Sequence, residues 1–91
     1  MTVSERTRLL LDAEHITTQD RNNHYGPPTQ DFTRTAQLWA SYLNHPIQPH
    51  DVAAMMILLK ISRISWSPHV RDHWLDIAGY AACGYETTQP Q

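Results

Sequence analysis

The chain has 91 residues, seven Lys and Arg against nine Asp and Glu, and a formal charge of −2. That describes one modest domain with no basic stripe, which argues against nucleic acid as its main partner. Cys83 is the only cysteine, so an intrachain disulfide is excluded, a reducing cytoplasmic setting is expected, and self-association is the natural support for so small a core.

In chain order, the residues predict four helices and no strands. The first covers residues 4–18, with Ser4 as N-cap and Leu9, Leu10, Ala13 and Ile16 as its apolar stripe. A polar segment at 20–28 follows, turning at Gly26-Pro27-Pro28. The second helix covers 29–43, with Phe32, Ala36, Trp39 and Leu43 at three- and four-residue spacing. The third covers 49–64, opened by Pro49 with Asp51 set against the helix dipole. It is apolar almost all round from Val52 to Ile64, as expected of a central helix covered by its own domain or by another subunit. The fourth covers 68–85, capped by Ser67-Pro68, with Val70, Trp74, Ile77, Ala78, Ala81 and Tyr85 as its core stripe. The longest apolar run, 52–59, falls far short of the ~20 residues that span a bilayer, and no export signal is visible. The expectation is therefore an all-α, compact bundle of about four helices occupying residues 1–91 as one domain, with no membrane role.

Few residues can carry chemistry in such a bundle. Asp72 and Asp76 lie about 40° apart on the helical wheel, on the side that holds Gly79 and Cys83 and opposite the apolar stripe. Carboxylates at i and i+4 can hold a hard cation such as Mg2+ if a second helix adds ligands, or can simply face solvent. His69 and His73 share that spacing, but no Cys/His pattern completes a zinc site. Lys60 and Arg63 are the only charges in the otherwise apolar run from Val52 to Ile64, and either snorkel to the surface, pair with carboxylates or grip phosphate. Arg21 and Tyr25 lie in the polar segment, where Tyr25 offers an aromatic face and a hydroxyl to a base or sugar, or staples the loop. Cys83, in an apolar helix without an adjacent cation, reads as an inert thiol.

Several of these residues fall into one pattern. Asp20-Arg21, Tyr25-Gly26-x-Pro28, Phe32, Leu38-Trp39, Pro49-x-Asp51-Val52, Met55-Met56, Lys60-x-x-Arg63 and Arg71-Asp72-x-Trp74-x-Asp76-Ile77-Ala78-Gly79-Tyr80-Ala81 together resemble a family of short phage and prophage proteins that carries only a domain-of-unknown-function label. The Asp-Ile-Ala-Gly-Tyr-Ala stretch is the most specific part. The order of a Tyr-Gly turn, a Lys-x-x-Arg helix and an Asp-x-x-x-Asp helix is also distantly similar to the MazG-like all-α nucleotide pyrophosphohydrolases. That second resemblance implies a MazG-like, oligomeric bundle in which Asp72 and Asp76 bind Mg2+, Lys60, Arg63 and Arg21 meet phosphates, and Tyr25 meets the base or sugar. The first acidic motif of those enzymes has no counterpart, since the second helix offers Asp31 and the third only Asp51. Two readings therefore stand: a phage-type accessory protein of the host bacterial cytoplasm that binds or hydrolyses a nucleoside triphosphate, or a non-catalytic phage effector that binds a host protein. A homo-oligomer is expected in either case.

Overall fold

The structure is a computed structural model that describes residues 2–90, apart from the side chain of Asp20. All regular structure among the described residues is helical: α1 (Glu5–His15), a π-helical turn (Ile16–Asp20), α2 (Arg21–Tyr25), α3 (Pro28–Leu43), α4 (Pro49–Trp66) and α5 (Arg71–Thr87). No helix is long and apolar enough to cross a membrane among the described residues.

The first departure from expectation lies in the polar segment, which is helical up to Tyr25. Ser4 caps α1 as its residue type requires, its side chain accepting from the Thr7 N–H at 3.2 Å. No glycine or proline interrupts the chain before Gly26, so nothing stops the helix at residue 18. Instead the ladder widens. The Thr17 hydroxyl donates to the carbonyls of Ala13 (2.9 Å) and Glu14 (3.1 Å), and that of Thr18 donates to Glu14 (2.8 Å). Hydroxyls bonding back to carbonyls of the preceding turn compete with the backbone ladder and bend it. The helix ends where Gly26 adopts φ +82°, and Pro28 begins the next.

Helix α3 stops at Asn44, in the left-handed region at φ 52°, its N–H donating to Ala40 O. At the start of α4, Asp51 Oδ2 accepts from the Gln48 N–H at 2.8 Å, a capping bond at the end where the helix dipole favours its charge. Helix α5 starts later than Ser67-Pro68 suggests, because residues 67–70 form a turn that caps it. The Val70 N–H donates to Ser67 O (3.3 Å), the His73 N–H to Val70 O (3.2 Å), and Trp74 Nε1 to Pro68 O (2.9 Å).

The central helix is α5, which packs against α1, the π turn, α3 and α4. Its buried residues are Leu75, Gly79, Cys83 and Gly84, not the expected Trp74–Tyr85 stripe; Val70, Trp74 and Tyr85 are exposed. The reason is close approach. A methyl group at Gly84 would lie 2.6 Å from Ala53 Cβ, and one at Gly79 would lie 3.2 Å from Thr17 Cγ2. Small residues admit neighbouring backbones on this side, so the helices meet where hydrophobicity is low. The main core joins Phe32, Ala36, Val52, Ala53 and Cys83, with Trp39, Ile47 and Tyr80 partly buried against it. Helix α4 buries only Val52 and Ala53 fully, and its outer face is uncovered.

Candidate functional site

The widened turn and α5 leave a gap between them. It forms a pocket of about 300 Å³, whose wall includes Thr17 and Arg21 from one side and Asp76, Gly79 and Tyr80 from the other, with Tyr25 at its end. The absent side chain of Gly79 is what keeps that wall open beside Thr17. A second cavity of about 240 Å³ opens toward α3 and α4 and shares Arg21, Tyr25 and Tyr80 with the first. Arg21 therefore stands as a partition between two spaces.

Its surroundings are unusual for a cation. The Arg21 side chain is only 14% exposed, and Nη2 donates to Asp31 Oδ2 at 2.5 Å. The guanidinium carbon lies 4.6 Å from the ring centroid of Phe32, 5.7 Å from Tyr25 and 5.9 Å from Tyr80. Three aromatic faces at these distances stabilise a weakly hydrated, planar cation. Nε is buried and makes no hydrogen bond. Arg34 secures the same corner, donating to Tyr25 O at 2.8 Å while its Nη2 lies 3.9 Å from Asp31 Oδ1.

On the opposite wall, Asp76 Oδ2 pairs with Lys60 Nζ at 2.8 Å; Lys60 is 12% exposed and Asp76 39%. Helix α4 thus turns its one lysine inward, against α5. Burial pushes the Cys83 thiol above its usual range, with Arg21 acting in the opposite sense. Its thiol is accordingly protonated at neutral pH.

The structure brings Arg21, Tyr25 and Asp76 into one pocket wall and attaches Lys60 to it through Asp76. Arg63 and Asp72 line neither cavity; both are exposed and make no ion pair among the described residues. His69 is exposed, and His73 Nε2 lies 3.2 Å from Ser67 Oγ in the turn before α5. Among the described residues, no three of His, Cys, Asp and Glu converge on a point where a metal ion could sit. Sequence reasoning overlooked Tyr80, Thr17 and the Asp31 partner of Arg21. The Asp-Ile-Ala-Gly-Tyr-Ala stretch held one usable signal, a glycine followed by an amphipathic aromatic.

Over residues 8–88 the chain matches a family described as a domain of unknown function, DUF6378. The chain belongs to that family. The matched region of this DUF6378 protein contains every pocket residue named above. It is similar to the Gene 55 protein of Mycobacterium phage D29, with 40% identity over 75 residues, covering 82% of this chain and 50% of the relative. It is similar as well to the Gene 55 protein of Mycobacterium phage L5, with 42% identity over 74 residues, 80% of this chain and 47% of the relative. The DUF6378 chain therefore spans about half the length of these relatives. No solved structure matches it.

Proposed function

We propose that this is a phage-type accessory protein whose pocket binds a nucleotide, with an aromatic base against Tyr25 and Tyr80 and a phosphate drawn to Arg21. The observation that carries the reading is Arg21 itself. It is a largely buried guanidinium on the wall of two cavities, paired with Asp31, ringed by three aromatic faces, and with a buried Nε that makes no hydrogen bond. Bases stack on aromatic faces at about 1–3 kcal/mol each, and guanidinium suits phosphate geometrically. The 300 Å³ pocket falls at the small end of the ~300–1,000 Å³ range of ligand sites. The distant resemblance of the motif order to that of the MazG-like enzymes implies the same ligand class.

Binding, and not hydrolysis, is the form we adopt. A magnesium site needs several carboxylates, whereas Asp72 stands outside the pocket and Asp76 is neutralised by Lys60. The donor set of a single chain therefore does not fit magnesium, and no chemical step is assigned to it. Lys60 positions Asp76 in the wall.

The test is a titration with nucleoside mono-, di- and triphosphates, with and without magnesium, read by thermal stabilisation and by tyrosine and tryptophan fluorescence. Tyr25 is exposed, so Tyr25→Ala should fold and bind about tenfold more weakly, the loss of one stacking contact. Wild-type protein that is stabilised by none of the panel would refute the nucleotide reading.

The other reading, a non-catalytic effector that docks on a host protein, draws on the many exposed apolar side chains, among them Leu38, Tyr42, Leu58 and Trp66. Such surfaces mark interaction sites.

A further inference from the structure

Helix α4 is amphipathic in the wrong sense. On a helical wheel, its exposed arc from Ala54 to Trp66 holds Ile61, Ala54, Ser65, Leu58, Ser62, Met55, Trp66 and Leu59, with Arg63 as its one charge, at the edge beyond Leu59, while Lys60 faces the interior. Leu58 is 63% exposed and Trp66 92%. A solvent face of a helix normally carries the charges, and one so largely apolar is normally covered.

The whole molecule shows the same deficit. Its accessible surface is 6639 Å². A compact monomer of this mass, 10.5 kDa, exposes only about 5,400 Å², leaving an excess of about 1,200 Å². A standard interface buries ~800 Å² on each partner. Covering the α4 face would remove surface on the scale of that excess.

The sequence of α4 identifies the occupant. The three pairs equidistant from Lys60 that lie nearest the midline of the arc each set a large side chain against a smaller one, Trp66 with Ala54, Met55 with Ser65 and Leu58 with Ser62, while Leu59 and Ile61 at its edges pair two large ones. Two such helices laid antiparallel, crossing near residue 60, would seat each midline projection of one on a recess of the other. A two-fold axis requires this kind of self-complementarity, in which residue i meets j and j meets i. A surface shaped for an unrelated partner has no reason to be reciprocal about its own midpoint. We infer that the outward face of α4 is the two-fold interface of a homodimer, with Leu58 of each protomer set against Ser62 of its partner.

Sedimentation equilibrium on the whole chain tests this, with Leu58→Glu as the breaking variant and Leu38→Glu on α3 as the control. Both leucines are exposed in the single chain, so circular dichroism should be unchanged in both. The expected result is a dimer for the wild type and the control, and a monomer for Leu58→Glu. Ser62→Glu, on the recess side, should give a monomer too and guards against a misfolded first variant. A wild type that stays monomeric at every concentration, or a dimer that survives both substitutions on α4, overturns the inference. In the first case the apolar face would be left for a different protein.

Discussion

Glycine positions on α5 record how closely its neighbours approach, and two of them separate a rigid contact from a yielding one. At Gly84 an added methyl would stand 2.6 Å from Ala53 Cβ, an atom fixed to the backbone of α4. At Gly79 the nearest atom is a Thr17 methyl at 3.2 Å, on a side chain that can shift by a few tenths of an ångström. Replacing a helical glycine by alanine contributes about 1 kcal/mol of propensity, while overpacking costs about 1–3 kcal/mol. Gly84→Ala should therefore destabilise the fold by up to about 2 kcal/mol net, and Gly79→Ala should be near neutral, as urea denaturation midpoints would show. A Gly84→Ala protein at least as stable as the wild type would mean that α4 and α5 are further apart than described. The same residues explain why the buried face of α5 was illegible beforehand. Hydrophobic periodicity scores Trp74 and Tyr85 as core and scores Gly79 and Gly84 as nothing, yet close helix packing selects for the absence of a side chain. Asp76 shares a pocket wall with Gly79 and Cys83 and meets Lys60 of α4 there, whereas Asp72, one turn earlier, is exposed outside it.

Between elements, α1 and α4 are each tied to α5 by an ion pair, and the two pairs differ in burial. Arg71 to Asp12, at 2.6 Å, joins α5 to α1 in the open, with side chains 44% and 53% exposed. Such pairs contribute about 0–1 kcal/mol. Lys60 to Asp76 joins α4 to α5 with the lysine nearly enclosed. Removing the carboxylate leaves a cation without its partner, so Asp76→Asn should cost about 1–2 kcal/mol, a value reduced from that of a fully buried pair because Asp76 is partly in water. Asp72→Asn, at an exposed and unpaired position, should change little. Lys60→Met is the informative companion, since replacing an enclosed charge by an apolar chain of similar length is often neutral. If all three variants have wild-type stability by denaturation, the pair does not hold the helices together. At this scale three of the four expected helices were readable from their caps and stops: Pro28, Pro49 with Asp51, and the break at Ser67-Pro68. The fourth boundary failed because residues 16–25 contain no stop signal, and a π turn has no signature in composition. The sequence marks Arg21 and Tyr25 as candidates but places them in a polar loop. Helical structure through Tyr25 is what sets Arg21 against Phe32 and Asp31, and that pairing is tertiary, invisible to any local pattern.

The molecule as a whole is elongated, 50 × 32 × 22 Å, with a radius of gyration of 14.2 Å where a compact chain of this length would have about 12 Å. Its principal core has five buried residues, and much of its apolar surface lies outside. A chain so built draws part of its stability from whatever covers α4, and in a homodimer that contribution must depend on concentration by mass action. A tenfold rise in protein shifts dimer stability by about 1.4 kcal/mol, or about 0.7 kcal/mol per protomer, which for a domain of this size raises Tm by about 3–5 °C. The wild type should show that slope across a dilution series followed by circular dichroism, and Leu58→Glu should show none. Adding a nucleotide should raise Tm in both proteins, because the pocket between the π turn and α5 uses no residue of the outer α4 face. A flat wild-type slope with retained nucleotide stabilisation would separate the two proposals, removing the dimer and leaving the pocket.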